Sequence, residues 1–368
     1  MSFQPLDGIR VVDVTASLAG PSCTQLLAAL GADVVKVEPP GGDHARAWGP
    51  PFVDGSGVLF FAANAGKRSL VVDLEQDLDV VLRLVDEADV FVQSLRPGLA
   101  EQRGLGAEAL RARNPRLVYC TIGAYGHPGP LADRPGYDPV MQAASGLMSV
   151  TGEPGGPPVR AGVSLIDFAT GQWAAIGILA ALLEREQTGA GRTIDTSLYE
   201  TALVLLSSQL AGYAATGESP ARHGSAFPLI APYEVFSTSD GSLMIVAGSD
   251  GLYERLRGVL GLPDDERFRT NPDRVRNRPV LAELIAGVLR TRTSAEWESE
   301  LTAAGVPASP LRDVGEAFEH AQTRALGILQ QIGEGTTVSP PLSVDGERIR
   351  HRTPPPRLGD YDGQEPAR

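Results

Sequence analysis

Cysteine is scarce in this chain: only Cys23 and Cys120 occur, both in apolar or mixed surroundings and without metal-ligand spacing. A disulfide framework is therefore excluded as the basis of the fold. The two read as reduced core residues, which fits a cytoplasmic protein. The five histidines (His44, His127, His223, His320 and His351) are scattered and form no pair at helical spacing, so no metal site is expected. No apolar run reaches the length of a membrane span, and the N-terminus lacks the basic-then-apolar pattern of a signal peptide. Positive charge is the minority sign. With 32 Lys and Arg against 45 Asp and Glu, the net charge of -13 argues against nucleic acid or an anionic membrane as a general partner. A glycine fingerprint is missing as well: the first strand-to-helix turn reads Ser17-Leu18-Ala19-Gly20-Pro21-Ser22, and no phosphate-loop Gly-Lys-Ser/Thr pattern appears elsewhere. A nicotinamide or flavin enzyme of the usual kind is disfavoured. Gly126-His127-Pro128-Gly129 sets a histidine beside glycines, but no serine sits in a nucleophile elbow, so a hydrolase triad has no support.

What is present is enough apolar material for a large core: 368 residues, 42% hydrophobic, allow one large or two ordinary domains. Short β-branched runs at residues 9–14, 33–38, 69–74, 90–93 and 117–122 alternate with helical spacing at 20–30 and 77–87. That interleaving predicts parallel pairing with both faces covered, hence a doubly wound α/β domain over 1–221. Further helical runs at 168–187 and 197–214 extend it. Around 220–235 the texture changes. A turn-rich loop, Arg222 to Pro228, leads to a strand at 233–236, a hairpin turn at 238–241 and a second strand at 243–247. Helical stretches follow at 252–260, 279–289 and 294–304, giving a smaller α+β domain over 222–325. A Pro- and Arg-rich segment, 326–368, is expected to return to the first domain or fray.

Two patterns bear chemistry. Asp167 stands between the apolar Val163 to Ile166 and the helical run that begins at Phe168, which Gly189 and Gly191 close. Such a carboxylate is a helix N-cap, or a nucleophile if it is held at a reacting carbonyl; spacing alone does not separate the two. Second, basic residues stand in three turns flanking strands: His44 and Arg46, Lys67 and Arg68, and Arg96. Each alone reads as a solvated loop charge. Together, in an acidic protein, they point to an anionic, phosphate-bearing ligand at the carboxyl ends of the strands.

These segments resemble the family III coenzyme A transferases and their relatives, the 2-methylacyl-CoA racemases. The resemblance runs through Gly31 to Glu38 with Gly42-Asp43 and Arg46, then Asn64 to Leu70, Arg96-Pro97-Gly98 and Asn114 to Leu117. It continues in Arg134 to Asp138, and is strongest in Asp167-Phe168-Ala169-Thr170-Gly171 followed by Thr188-Gly189-Ala190-Gly191-Arg192. It covers nearly the whole chain.

The resemblance implies an interlocked homodimer, each chain having a large Rossmann-like domain and a small one. Acyl-CoA would lie between domains, with Arg46, Lys67, Ser94, Arg96 and Arg103 as its contacts. CoA would be a substrate, with no tightly bound cofactor or metal. Asp167 matches the family aspartate that attacks the thioester to give a mixed anhydride and then an aspartyl-CoA thioester, from which a free carboxylic acid takes the CoA. The turn-rich loop containing Gly224 matches the loop that covers this site, while Leu18, Trp48 and Tyr137 fall where the acyl group is met. In the racemases a histidine occupies the middle of Gly-His-Asp, which here is Gly136-Tyr137-Asp138. A phenol with an ordinary pKa of about 10 is a poor base near neutrality, so transfer is favoured over racemisation. A CoA-binding member without turnover is the remaining alternative, for which Gln93-Ser94-Leu95 counts, as it replaces the usual Glu-Asn-Phe. Leu18 replaces a glutamine common among transferases of small dicarboxylates, so a less polar acyl group is expected. The chain stops soon after Gly359 to Asp362, where relatives usually continue into another helix, and a trimmed dimer wrap is expected.

Overall fold

The computed structural model describes residues 3–361. Asp362 and the polar tail after it lie outside the described residues. The chain forms two compact units: one takes in the chain up to Leu147, Arg160–Gly217 and everything from Gln322 on, and the other Met148–Val159 and Glu218–Ala321. The sequence boundaries at 221 and 325 differ from this chiefly in leaving Met148–Val159 with the first domain.

In the first unit six parallel strands form one sheet: β1 Arg10–Val14, β2 Asp33–Glu38, β3 Lys67–Val71, β4 Val90–Gln93, β5 Val118–Gly123 and β6 Thr193–Ser197. Their order is β3-β2-β1-β4-β5-β6, with the reversal of direction beside β1. Sequence patterning places five of the six; it misses β6 because Ile194 is its one apolar residue, set among Thr193, Asp195, Thr196 and Ser197.

Strict alternation explains why the strands read as unbroken apolar runs. Val11, Val90, Val92, Val118 and Cys120 face one core layer, and Val12, Phe91, Leu117 and Tyr119 the other. On the first face lie α1 (Ala19–Ala29), α4 (Asp138–Ala144), α5 (Leu165–Thr188) and α6 (Leu198–Leu205). On the second lie α2 (Leu78–Glu87) and α3 (Ala107–Arg113). The single helical run expected at 197–214 is two helices, with α7 (Ser207–Thr216) following a break at Leu206.

Helix α5 is more apolar than the sequence, read for unbroken runs, suggests. At 24 residues, with a mean hydropathy of 1.5 over its most apolar window, it is long and apolar enough by composition to cross a membrane. Asp167, Thr170 and Gln172 interrupt the apolar run, which is why the sequence shows no continuous stretch. In the fold 44% of that window is buried in the protein. Near its C-terminal end the buried Arg185 pairs with Asp89 at 2.9 Å, so the helix is tied to the sheet by an ion pair.

The second unit has a three-stranded antiparallel sheet, β7 (Tyr233–Ser237), β8 (Ser242–Val246) and β9 (Ala308–Pro310), with β8 in the centre. Its apolar face is covered by α8 (Asp250–Leu260), α9 (Arg278–Leu289) and α10 (Ser294–Ala303) through Tyr253, Leu256, Leu281, Ile285 and Trp297. Helix α10 starts with a capping box between Thr293 and Glu296.

Candidate active site

The turn after β1 lacks glycines at its start and is held by side chains instead. The Thr15 N–H donates to Asp13 Oδ1 at 2.9 Å, the Ala16 N–H to Ser94 Oγ at 3.2 Å and the Ser17 N–H to Asp43 Oδ1 at 3.2 Å. Ser17 adopts a left-handed backbone, φ 69°, unusual for a residue with a Cβ, and its hydroxyl meets His44 Nε2 at 2.8 Å. Leu18 follows, fully buried at the N-cap of α1. Trp48 stacks obliquely on the His44 ring with centroids 5.0 Å apart, and is itself partly exposed. The structure thus joins Leu18 and Trp48 through Ser17 and His44. Sequence reading did not single out that pair, because the contact joins residues 27 positions apart.

Under this turn lies a buried ion network, and it reassigns two residues expected to meet CoA. Lys67 is fully buried, and its ammonium donates to Asp13 Oδ2 at 3.0 Å, Pro21 O at 2.9 Å and Asn64 Oδ1 at 2.8 Å. An ammonium has three donors, so none is left for a phosphate. Burial pushes the Lys67 pKa down, against the Asp13 carboxylate that holds it up. Burial would raise Asp13, yet Lys67, Lys36 and the Thr15 and Thr24 hydroxyls hold it below the usual carboxylate range. Arg46 is likewise committed. Its guanidinium clamps the buried Glu38 carboxylate with bonds of 2.8 and 2.7 Å, and lies 3.8 Å over the Phe60 ring. Two buried carboxylates require these cations, a demand that a reading of loops as solvent-facing overlooks. Of the remaining expected contacts, Ser94 anchors Ala16, Arg103 donates to the exposed Glu75 at 2.6 Å, and Arg96 is solvent-exposed in the turn after β4.

Asp167 does not stand at the helix N-cap. Helix α5 starts earlier, at Leu165; Ser164 is the N-cap and makes no side-chain capping bond, which puts Asp167 in the first turn. The physical reason is Asp138, at the start of α4. Its Oδ2 accepts from the backbone N–H of Ile166 at 2.8 Å and of Asp167 at 3.2 Å, doing from another helix what an N-cap side chain would do. Asp138 Oδ1 accepts from Gln142 Nε2 at 2.6 Å, and Gln142 Oε1 accepts from the Ala161 N–H at 2.8 Å. The sequence shows Asp138 only as the last residue of the Gly136-Tyr137-Asp138 motif and gives Gln142 no role; their spacing of four on one helix is the available signal.

Asp167 is thereby released from capping. Its half-buried carboxylate accepts no hydrogen bond among the described residues. Burial, with the Asp138 charge adding to it, pushes its pKa from the ordinary 3.8 up to about 7. One turn further along α5, Gly171 lies against α1, where a Cβ would come within 2.6 Å of Ala19 O. This close approach sets Asp167 near the end of α1 that begins with Leu18. Tyr137, the N-cap of α4, is 53% exposed with its ring free of the core.

Gly224 belongs to the second unit and has φ +59°. A Cβ there would lie 2.6 Å from Glu153 Oε2, and its N–H donates to Gly152 O at 3.0 Å. Arg222 Nη2 donates to Gly156 O at 2.7 Å, so the turn is fastened to the 148–159 segment. Among the described residues no cluster of three or more His, Cys, Asp or Glu is arranged to hold a metal ion.

A carboxylate without a hydrogen-bond donor, in the first turn of a helix, is chemically able to act as a nucleophile. The whole chain, compared with known proteins, shows its family. The sequence pattern of CoA-transferase family III matches residues 6–361. The chain belongs to CoA-transferase family III. This family III chain is 40% identical over 378 residues to a succinate–glutarate CoA-transferase of Agrobacterium fabrum, covering 98% of its own length and 94% of the relative. It is 39% identical over 357 residues to an acetyl-CoA:oxalate CoA-transferase of Acetobacter aceti, covering 95% and 92%. Among solved structures, a CaiB/BaiF family protein from Brucella suis superposes with a TM-score of 0.87 at 40% identity, over 97% of each chain. The family III chain is a CoA-transferase by these relationships, with CoA as substrate.

Proposed function

We propose that the protein moves CoA from an acyl-CoA to a free carboxylic acid through covalent intermediates on Asp167. An Asp167 oxygen attacks the thioester carbonyl, the C–S bond breaks, and the CoA thiolate leaves with the bonding electrons, giving a mixed anhydride. The thiolate returns to the aspartyl carbonyl, releases the donor's carboxylate and forms an aspartyl-CoA thioester. The acceptor carboxylate attacks that thioester to give a second anhydride, from which CoA takes the acceptor acyl group and regenerates Asp167. Each step exchanges one acyl bond for another, so neither a redox group nor a tightly bound cofactor is part of this reading. The observation that carries it is the free Asp167 carboxylate, half-buried beside Asp138 and without a hydrogen-bond donor among the described residues.

Arg96, on the turn after β4, and Arg103, at the C-cap of the short helix Leu99–Gln102, are the cations we assign to the nucleotide end of CoA. Trp48 and Tyr137 are assigned the acyl contacts. The relatives named above act on small dicarboxylates by their names; here Leu18 supplies no polar partner for a second carboxylate, and we assign this chain a less polar acyl group. The large domain is Rossmann-like in this reading, and the protein a cytoplasmic homodimer. The dimer is supported by the stripe of exposed Phe168, Trp173, Ile176 and Leu183 along α5, apolar surface that a second copy would cover.

Mixing the protein with a panel of acyl-CoAs, quenching with hydroxylamine and mapping peptides by mass spectrometry tests the mechanism. A hydroxamate on Asp167, absent in Asp167→Ala, is the expected result. Exchange of labelled acid into acyl-CoA without any adduct at Asp167 would refute the covalent route.

A further inference from the structure

Two carboxylates lie side by side at the start of α5, and only one of them is bonded. Asp138, 1% exposed, accepts from three N–H groups: Ile166, Asp167 and the Gln142 amide. Gln142 is fully buried and locked in turn by the Ala161 N–H, so neither side chain has room to turn away. A carboxylate that accepts at both oxygens and donates nowhere is in its acceptor-only form, the anion. An acid in the first turn of a helix ordinarily gains from the free N–H groups and the positive end of the helix dipole. Asp167 stands where it would collect that stabilisation, and Asp138 has taken it.

We propose that Asp138 is a positioning residue of the transfer reaction: it occupies the helix-end donors and sets a fixed negative charge beside Asp167, leaving the nucleophile a poorly stabilised anion whose acylation is favoured. This rests on the transfer reading above. When an Asp167 oxygen bonds to the thioester carbon and the CoA thiolate leaves with the electron pair, the negative charge passes from Asp167 to the departing sulfur. The anhydride left on Asp167 is neutral, and the repulsion from Asp138 disappears with it. The same relief applies to the aspartyl-CoA thioester. Asp138 therefore favours both covalent states over the resting carboxylate without touching the acyl group.

The other groups facing this end of α5 do not compete for the role. From α1 comes Cys23, whose thiol is kept neutral by burial that raises its pKa well above the ordinary value. From α6 comes Thr201, whose hydroxyl bonds Thr170 at 2.9 Å, while Glu200 on the same helix is bonded to Ser197 Oγ at 2.6 Å and lies against Gly126. Asp138 is the charge that acts on Asp167, and it agrees with the direction in which the Asp167 pKa is displaced.

The decisive variant is Asp138→Asn, which keeps the shape and an acceptor oxygen but removes the charge. Asp167 is followed directly by carbon-13 NMR of protein labelled at the aspartate carboxyl, assigned by loss of the signal in Asp167→Asn. In D138N the Asp167 titration midpoint should fall by at least one pH unit. At pH 9, where Asp167 is ionised in both proteins, the rate of hydroxamate-trappable adduct formation should fall about tenfold, with the Kd for CoA unchanged. A midpoint and pH profile identical to the parent would overturn the proposal and leave Asp138 a structural cap. Should D138N fail to fold, Asp138→Ser removes the charge while keeping a capping oxygen, and the same acid shift is expected; no shift there also overturns it. If the parent forms no adduct yet its Asp167 midpoint moves in D138N, the coupling stands and the transfer reading falls.

Discussion

Burial and the Asp138 charge set the pH response of Asp167. A nucleophile raised to about 7 loses its anion as pH falls through neutrality, so the rate of adduct formation should drop tenfold per pH unit below that value. The linked effect on stability has a definite sign. The folded protein binds a proton at Asp167 more tightly than the unfolded chain does, so between about pH 4 and 7 stability declines as pH rises. A rise from 3.8 to about 7 sets an upper bound of roughly 4 kcal/mol on that decline. Asp167→Asn, which carries no charge, should melt higher than the parent at pH 8 and equal to it near pH 4 in calorimetry. A second contrast separates cations by role. Lys67→Met leaves Asp13 buried and unpaired and should cost about 3–5 kcal/mol in urea unfolding. Arg96→Ala, on the exposed turn, should leave unfolding unchanged and raise KM for acyl-CoA several-fold. The residue types and their order were legible in the sequence. The partners were not: Lys67 and Asp13 are 54 positions apart, and Asp138 and Asp167 are 29 apart.

Elements set the position of the nucleophile through a helix crossing that only small residues allow. Gly171 on α5 lies against Ala19, Ser22 and Cys23 of α1. Gly171→Ala would force a Cβ to within 2.6 Å of Ala19 O, a backbone atom that cannot swing aside. The helices must separate, so the variant should unfold at lower urea and show a lower kcat, because Asp167 rides one turn away. A variant with unchanged kcat and midpoint would show that the crossing tolerates the methyl. Strand and helix positions were largely readable from apolar periodicity, as in β2 at Asp33–Glu38 and β4 at Val90–Gln93. The start of α5 was not, since the acceptor that caps it arrives from α4.

For the molecule as a whole, the unexplained surface is apolar. On α5, Trp173, Ile176 and Leu183 are exposed by 48%, 55% and 70%, and on the next two helices Val204 and Tyr213 by 53% and 50%. Ile176→Asp should convert the proposed dimer to monomers in size-exclusion chromatography with light scattering, with the fold retained by circular dichroism. A parent protein that runs as a strict monomer would contradict the dimer.

By itself the sequence determined the alternation of strands and helices, the acidic balance and the family, because periodicity, composition and motif order are properties of the chain. It also placed a single aspartate at the head of a long helix. Only the tertiary structure decided what the charges do. Lys67 and Arg46 are drawn inward to buried carboxylates, and Asp138 takes over a helix end that is not its own. The physical reason is that a buried charge must find its counterpart in space, and sequence separation carries no record of which groups the fold brings together.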